Sequence, residues 1–397
     1  MIYSWLKGFR NGKEKSVIYF DNSATTKPYK EVLESFIKVS SEYFGNPSSL
    51  HEFGGKAERL LMQAREQIAH LLNVKHNEVY FTSGGTESNN LAIKGTALMH
   101  RKRGRHIITT GLEHASVKEA MDQLKELGFS ISIIAPDKNG IVHAEDIEKE
   151  ITPETILVSV MHVNNEIGSI QPIKKIGEML KKHSRVLFHV DNVQGIGKVP
   201  LDLYQASVDL CTISAHKFHG LKGNGVLFIR DGLRLSPLLS GGNQEWKMRS
   251  GTENVAGIVA MAKALRLTIN NMERRLSQIL SIKNYIFEEM NKIEGITVHT
   301  PEKNSAPHIV NFSIEGFKAE VFVHALGERG IYISTTSACS SKKAAASSTL
   351  MAMGIPEKNA KSAVRISLSY DNTMEEAEVF IEAVKETVIR LREVMKS

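Results

Sequence analysis

The sequence predicts an α/β fold, a large unit with a mainly parallel, seven-stranded sheet followed by a small α+β unit. Three observations carry this. Short β-branched runs alternate with amphipathic stretches through the first 230 residues, which is the pattern of βαβ units. A length of 397 residues, with 42% hydrophobic and 24% charged side chains, is that of a globular chain able to build more than one core. Past a long helical stretch the regular alternation stops, and strands and helices follow in a mixed order.

Strands are predicted over residues 78–82, 106–110, 130–135, 156–162, 186–191, 209–214 and 225–229, where β-branched and aromatic residues gather between turn formers. Helices are predicted over 57–72, 87–100, 115–127 and 173–183, where apolar residues recur at three- and four-residue spacing. A helical stretch over 255–293, with a break allowed within it, leads to a strand over 308–314, a helix over 319–329, a polar loop, a second helix, a strand over 363–369 and a closing helix from Met374. The chain accordingly divides into an extension, 1–16, a large unit, 17–265, and a small unit, 266–397, with some N-terminal residues able to join the small one. Residues 334–348 are nearly all small or polar, with little to pack, and are expected to be mobile in part.

Composition excludes several function classes. Two cysteines, Cys211 and Cys339, do not make a disulfide framework. No apolar run approaches the roughly 20 residues of a membrane span, and the basic start has no apolar core of a secretory signal, so a cytoplasmic protein is expected. A net charge of +6 permits contact with acidic partners. The densest basic run, Arg101, Lys102, Arg103 and Arg105, closes a predicted helix, where cations complement the dipole. No aromatic platform is interleaved with it, so direct nucleic-acid binding is not expected. Dinucleotide, nucleotide-phosphate and metal-binding signatures are absent from the sequence.

Ligands of an open α/β sheet bind beyond the carboxyl ends of its strands, and there the informative residues concentrate. Ser83-Gly-Gly-Thr-Glu87 runs from a strand into a helix; its glycines let backbone approach an anion, and Thr86 can cap. Taken alone, this is also an ordinary strand-to-helix turn. His114 opens the next helix, Asn164 and Asn165 follow the strand over 156–162, Asp191 ends an apolar strand with Gln194 just beyond, and Ser214, His216 and Lys217 close another. An anion cradle, an imidazole, an amide, a carboxylate and a lysine on one rim together describe a site for pyridoxal 5'-phosphate. Lys217 would form the Schiff base, Asp191 would hold the pyridinium proton, and Gly85, Thr86, Ser214 and His216 would hold the phosphate.

Asp21-Asn-Ser-Ala-Thr-Thr26, Gly45-Asn-Pro-Ser-Ser49, Thr82-Ser-Gly-Gly-Thr-Glu87, His162-Val-Asn-Asn-Glu-Ile-Gly168, His189-Val-Asp191, Ser214-Ala-His-Lys217, Arg249-Ser-Gly-Thr-Glu-Asn254 and Ser337-Ala-Cys339 resemble the cysteine desulfurases of the class V aminotransferase family. The resemblance covers residues 17–397. It implies the type I fold of pyridoxal-phosphate-dependent transferases, His114 stacked on the cofactor ring, Asn165 and Gln194 at its oxygens, and Asn165 also near the substrate. It further implies Thr252 reaching the phosphate of a neighbouring subunit in a homodimer, and Arg365 gripping the carboxylate of L-cysteine, a task suited to a bidentate fork. Lys217 would move the Cα proton, with His114 a candidate for the thiol proton. Cys339 would take the sulfur as a persulfide and pass it to an acceptor protein in iron–sulfur cluster assembly, tRNA thiolation or a thiamine pathway. Lys342 and Lys343 suit an acidic face on that acceptor. A selenocysteine lyase or related lyase on the same cofactor is the alternative activity, and a sulfur-relay scaffold the alternative role. Asn192 stands where the family commonly has a small residue, and Cys211, inside an apolar strand, is read as packing.

Overall fold

The computed structural model describes residues 17–335 and 346–396. The expectations placed on residues 1–16, Cys339, Lys342, Lys343 and most of the segment 334–348 lie outside the described residues.

The first elements among the described residues are a two-residue strand, β1 (Ile18–Tyr19), and the helices α1 (Lys30–Glu42) and α2 (Glu52–Leu72). Strand and helix then alternate through β2 (Val79–Thr82), α3 (Gly85–His100), β3 (His106–Thr110), α4 (Ala115–Glu126), β4 (Ser130–Ile134), α5 (Ala144–Glu150), β5 (Thr155–Met161), α6 (Ile173–Leu180), β6 (Leu187–Asp191), β7 (Leu210–Ser214) and β8 (Gly225–Ile229). The helix α7 (Val255–Asn291) leads to β9 (Ile296–Val298), β10 (Ile309–Ile314), α8 (Ala319–Gly327), β11 (Ile331–Tyr332) and β12 (Ser334–Thr335). Beyond residue 345 come α9 (Ser348–Ala352), α10 (Glu357–Lys361), β13 (Ala363–Ser367) and α11 (Met374–Lys396).

The strands β2 to β8 make one seven-stranded sheet in the order β2-β8-β7-β6-β5-β3-β4, in which β8 alone runs against its neighbours. Residues of β5, β6 and β7 are buried along their whole length, which is why they read as nearly continuous apolar runs. One polar exception is tied across the sheet: His189 meets Ser159 Oγ at 2.8 Å and Thr212 Oγ1 at 3.1 Å. Burial pushes that imidazole down to about 4, so it stands neutral. One face of the sheet is covered by apolar residues of α3 and α4, the other by α2, α6 and α7.

A second core gathers Val310, Phe312 and Phe322 with Phe380 of α11. It also draws on α7, which runs unbroken for 37 residues and turns Ile279, Ile282, Ile286 and Met290 into it, one face at helical spacing. Its sheet is antiparallel, β12-β13-β10-β9. The segment from Ile18 to Phe20 belongs here: β1 pairs in parallel with β11, and Ile18 and Phe20 join this core. The single second helix expected after the polar loop is two short ones, because Gly354 at φ 79° ends α9 and Pro356 precedes α10. Among the described residues no helix is long and apolar enough to cross a membrane.

Candidate active site

The strands that run in one direction deliver Thr82, Met161, Asp191 and Ser214 to one edge of the large sheet, since Asp191 pairs in register with Met161 and Thr212. Beyond that edge lies a cavity of about 260 Å³ lined by Gly85, Thr86, His114, Asn165, Asp191, Gln194, Ser214, His216, Lys217 and Arg365, all residues singled out from the sequence. Thr252 lines a separate cleft with Ser83 and Arg249.

Gly84, at φ 145°, takes the cap position of α3, so the helix starts at Gly85, two residues before the sequence suggested. Thr86 is therefore inside the first turn and is not the cap, contrary to expectation. Glycine scores poorly as a helix former, which hid this start in the sequence. The consequence is chemical: first-turn amides, without intrahelical acceptors, open toward the cavity side at Gly85 and Thr86. A Cβ on Gly85 would sit 3.1 Å from Val193 Cγ2 and 3.4 Å from Ser214 Cβ, so glycine suits this close approach. A shallower cleft continues from there, sharing Gly85, Thr86, Ser214 and His216 and adding Ser83 and Lys222.

At the other end, Asp191 is 5% exposed. Its Oδ1 accepts from the Val193 amide at 3.0 Å and its Oδ2 from Asn89 Nδ2 at 2.8 Å. Asn89 also donates to Ser116 Oγ at 2.8 Å, and Ser116 meets His114 Nδ1 at 2.8 Å through the hydroxyl and 3.1 Å through its amide. Nδ1 thus accepts, and burial holds the imidazole below its ordinary value, so the neutral ring carries its proton on Nε2. Asn192 closes the same turn by meeting His162 Nδ1 at 2.8 Å, a partner a small residue there would lack.

Lys217 follows β7 in a short turn, Ala215–Lys217. Its Nζ donates to the Ala24 carbonyl at 2.8 Å and to that of Ser23, and Gln194 Nε2 donates to the Ser23 carbonyl at 3.0 Å. Behind it, Lys198 Nζ donates to the Lys217 carbonyl at 2.9 Å. Burial, with Lys217 nearby, pushes Lys198 down to about 7 and His216 down to about 4. Arg365, on β13, donates to Asp21 Oδ1 at 2.9 Å and to the Asn165 carbonyl at 2.8 Å. Under the rim, Glu113 accepts from Thr110 Oγ1 at 2.7 Å and the Met161 amide at 2.9 Å, and burial pushes it up to about 8. Cys211 is buried in β7, and burial pushes its thiol up, which makes it inert.

Three buried oxygens on the cavity wall, Ser23 Oγ, Asn89 Oδ1 and Gln194 Oε1, have no partner among the described residues. Together with a carboxylate at one end and helix amides at the other, they fit a flat polar ring with an anionic arm, as pyridoxal phosphate is. Asn89, Lys198, Asp21 and the carbonyls of Ser23 and Ala24 were not expected from the sequence as parts of the site, although Asp21, Ser23 and Ala24 all lie in the run Asp21–Thr26.

The family described as Aminotransferase class-V matches residues 18–380. The chain is 50% identical over 372 residues to the NifS/IcsS protein homolog of Lactobacillus delbrueckii subsp. bulgaricus, covering 93% of this chain and 97% of that one. It is 40% identical over 379 residues to the cysteine desulfurase IscS of Dictyoglomus turgidum, covering 95% and 96%. A solved structure of a NifS-like protein is similar with a TM-score of 0.88 at 38% identity, over 93% of this chain and 98% of that one.

Proposed function

The chain belongs to the aminotransferase class-V family, and from that premise we propose that it is a cysteine desulfurase, converting L-cysteine to L-alanine and handing the sulfur to an acceptor protein. The observation that carries the reading is a single cavity wall bearing a lysine amine, a carboxylate, a neutral imidazole, a guanidinium and the start of a helix.

Pyridoxal 5'-phosphate is the cofactor these residues fit; when bound, it makes the Cα proton of an attached amino acid acidic. Asp191 would face its ring nitrogen, its two oxygens oriented by the N–H donors of Asn89 and Val193. The Gly85 and Thr86 amides, Ser214 and His216 would face its phosphate, and His114, Asn165 and Gln194 its ring and oxygens. Lys217 would hold the cofactor through its amine, and its Nζ is the group that would carry the Cα proton. The Ser23 and Ala24 carbonyls are positioned to hold that amine between steps. Arg365 orients the substrate carboxylate. Cys339 is the proposed sulfur acceptor: its thiolate bonds the substrate sulfur as the bond from that sulfur to Cβ breaks, leaving a persulfide on Cys339 and the alanine skeleton. Thr252 lines a neighbouring cleft; a homodimer, in which Thr252 reaches the phosphate of the other copy, is part of this proposal.

The test is alanine release from L-cysteine by cofactor-loaded protein, with and without a thiol reductant. Reductant-dependent turnover is expected, and Cys339→Ala is expected to keep the cofactor's absorption while losing persulfide. No alanine under either condition overturns the reading.

A further inference from the structure

The guanidinium assigned to the substrate carboxylate already holds a carboxylate. Arg365 Nη2 donates to Asp21 Oδ1 at 2.9 Å and Nη1 to the Asn165 carbonyl at 2.8 Å, while its buried Nε has no partner. The Arg365 side chain is 4% exposed and that of Asp21 22%, so solvent screens this pair weakly. A second carboxylate arriving on the same guanidinium meets the charge of the first, and two carboxylates sharing one site resist joint ionisation.

The groups facing Asp21 come from four elements: Tyr19 on β1, Arg365 on β13, Ser334 on β12 and Lys217 after β7. Arg365 is faced in addition by Glu166, a buried carboxyl that burial lifts and that accepts from Ser347, and by His308, which burial lowers; of the two acids, Asp21 is the one bonded to the guanidinium itself. Burial already lifts the Asp21 carboxyl above its usual range, against the pull of Arg365 and Lys217.

Resting on the desulfurase reading, we propose that Asp21 couples substrate binding to proton uptake: as the carboxylate of the amino acid bonds Arg365, Asp21 takes one proton from solvent and yields its share of the guanidinium. No electrons move, and the proton returns to solvent when the carboxylate leaves. Asp21 thereby sets how strongly Arg365 grips carboxylate ligands, and it does so as a function of pH.

The experiment uses cofactor-loaded protein, L-alanine and ethylamine, which is alanine without its carboxylate. Binding is followed by cofactor absorption between pH 6 and 9, with calorimetry in two buffers of different protonation heat. Wild-type affinity for alanine relative to ethylamine is expected to fall as pH rises, approaching tenfold per pH unit, with up to one proton taken up per alanine. Asp21→Asn is expected to flatten the ratio and to tighten alanine binding relative to ethylamine at the alkaline end by the fold that the wild type loses between pH 6 and 9. A pH-independent wild-type ratio, or weaker alanine binding by Asp21→Asn with the pH slope retained, overturns the proposal and leaves Asp21 as a support for Arg365. If neither alanine nor L-cysteine perturbs the cofactor at any pH, the desulfurase reading fails and this inference with it.

Discussion

Glu113 shows what burial does to a single carboxyl. It lies under the cavity rim with one oxygen satisfied and the other, Oε2, without a partner, and burial pushes it up to about 8. An unfolded glutamate ionises near ~4.3, so the folded chain holds this proton more tightly. The stability that the neutral acid contributes is therefore complete below the unfolded value and is lost as pH climbs toward 8. Glu113→Gln cannot ionise, and is expected to be more stable than wild type at pH 9 by on the order of 5 kcal/mol, at about 1.36 kcal/mol for each unit between ~4.3 and about 8, with little difference at pH 4. Urea unfolding at the two pH values checks this. At this scale the sequence was legible where chemistry sits at a strand end, as with Asp191, His114 and Lys217. It was silent on Asn89 and on the Ser23 and Ala24 carbonyls. Asn89 acts on a residue 102 positions away, and a backbone carbonyl carries no side-chain signal.

Elements with a strong apolar period were read well, and those made by long-range pairing were not. The 37-residue α7 and the buried strands announce themselves; β1 and β11, two residues each, exist only because each finds the other. Glycine hides a different kind of information. Gly177 looks like a weak point in α6, yet a Cβ there would meet the Ala206 carbonyl oxygen at 1.8 Å. The missing side chain is what lets the helix lie against that turn. Gly177→Ala, which helix propensity alone would favour by about 1 kcal/mol, is expected instead to cost about 3 kcal/mol through overpacking, read as a lowered thermal midpoint. The residues lining the cavity are not among those it would touch.

At the scale of the molecule, the segment from Ile18 to Thr26 joins the second core to the active site. Phe20 is fully buried and packs edge-on against Phe380 at 5.5 Å; one residue later Asp21 holds Arg365, and Ser23 and Ala24 hold Lys217. Phe20→Ala is expected to lose about 3–5 kcal/mol as a buried large-to-small change. It is also expected to weaken cofactor retention on dialysis, which Phe322→Ala, in the same core but off this segment, is not. Equal cofactor loss in both variants would mean that the segment has no special hold on the site.

The ion pair between Asp21 and Arg365 closes a loop of 344 positions. A ribosome delivers its chain N-terminus first, at about 5–20 residues per second, so Asp21 emerges long before its partner. The large sheet, whose strands end at Ile229, can gather early, but the pocket acquires its guanidinium only after β13 has been made. During that interval Phe20 and its neighbours have no core to enter, and a nascent chain released early would carry the Lys217 rim without the grip that selects a carboxylate.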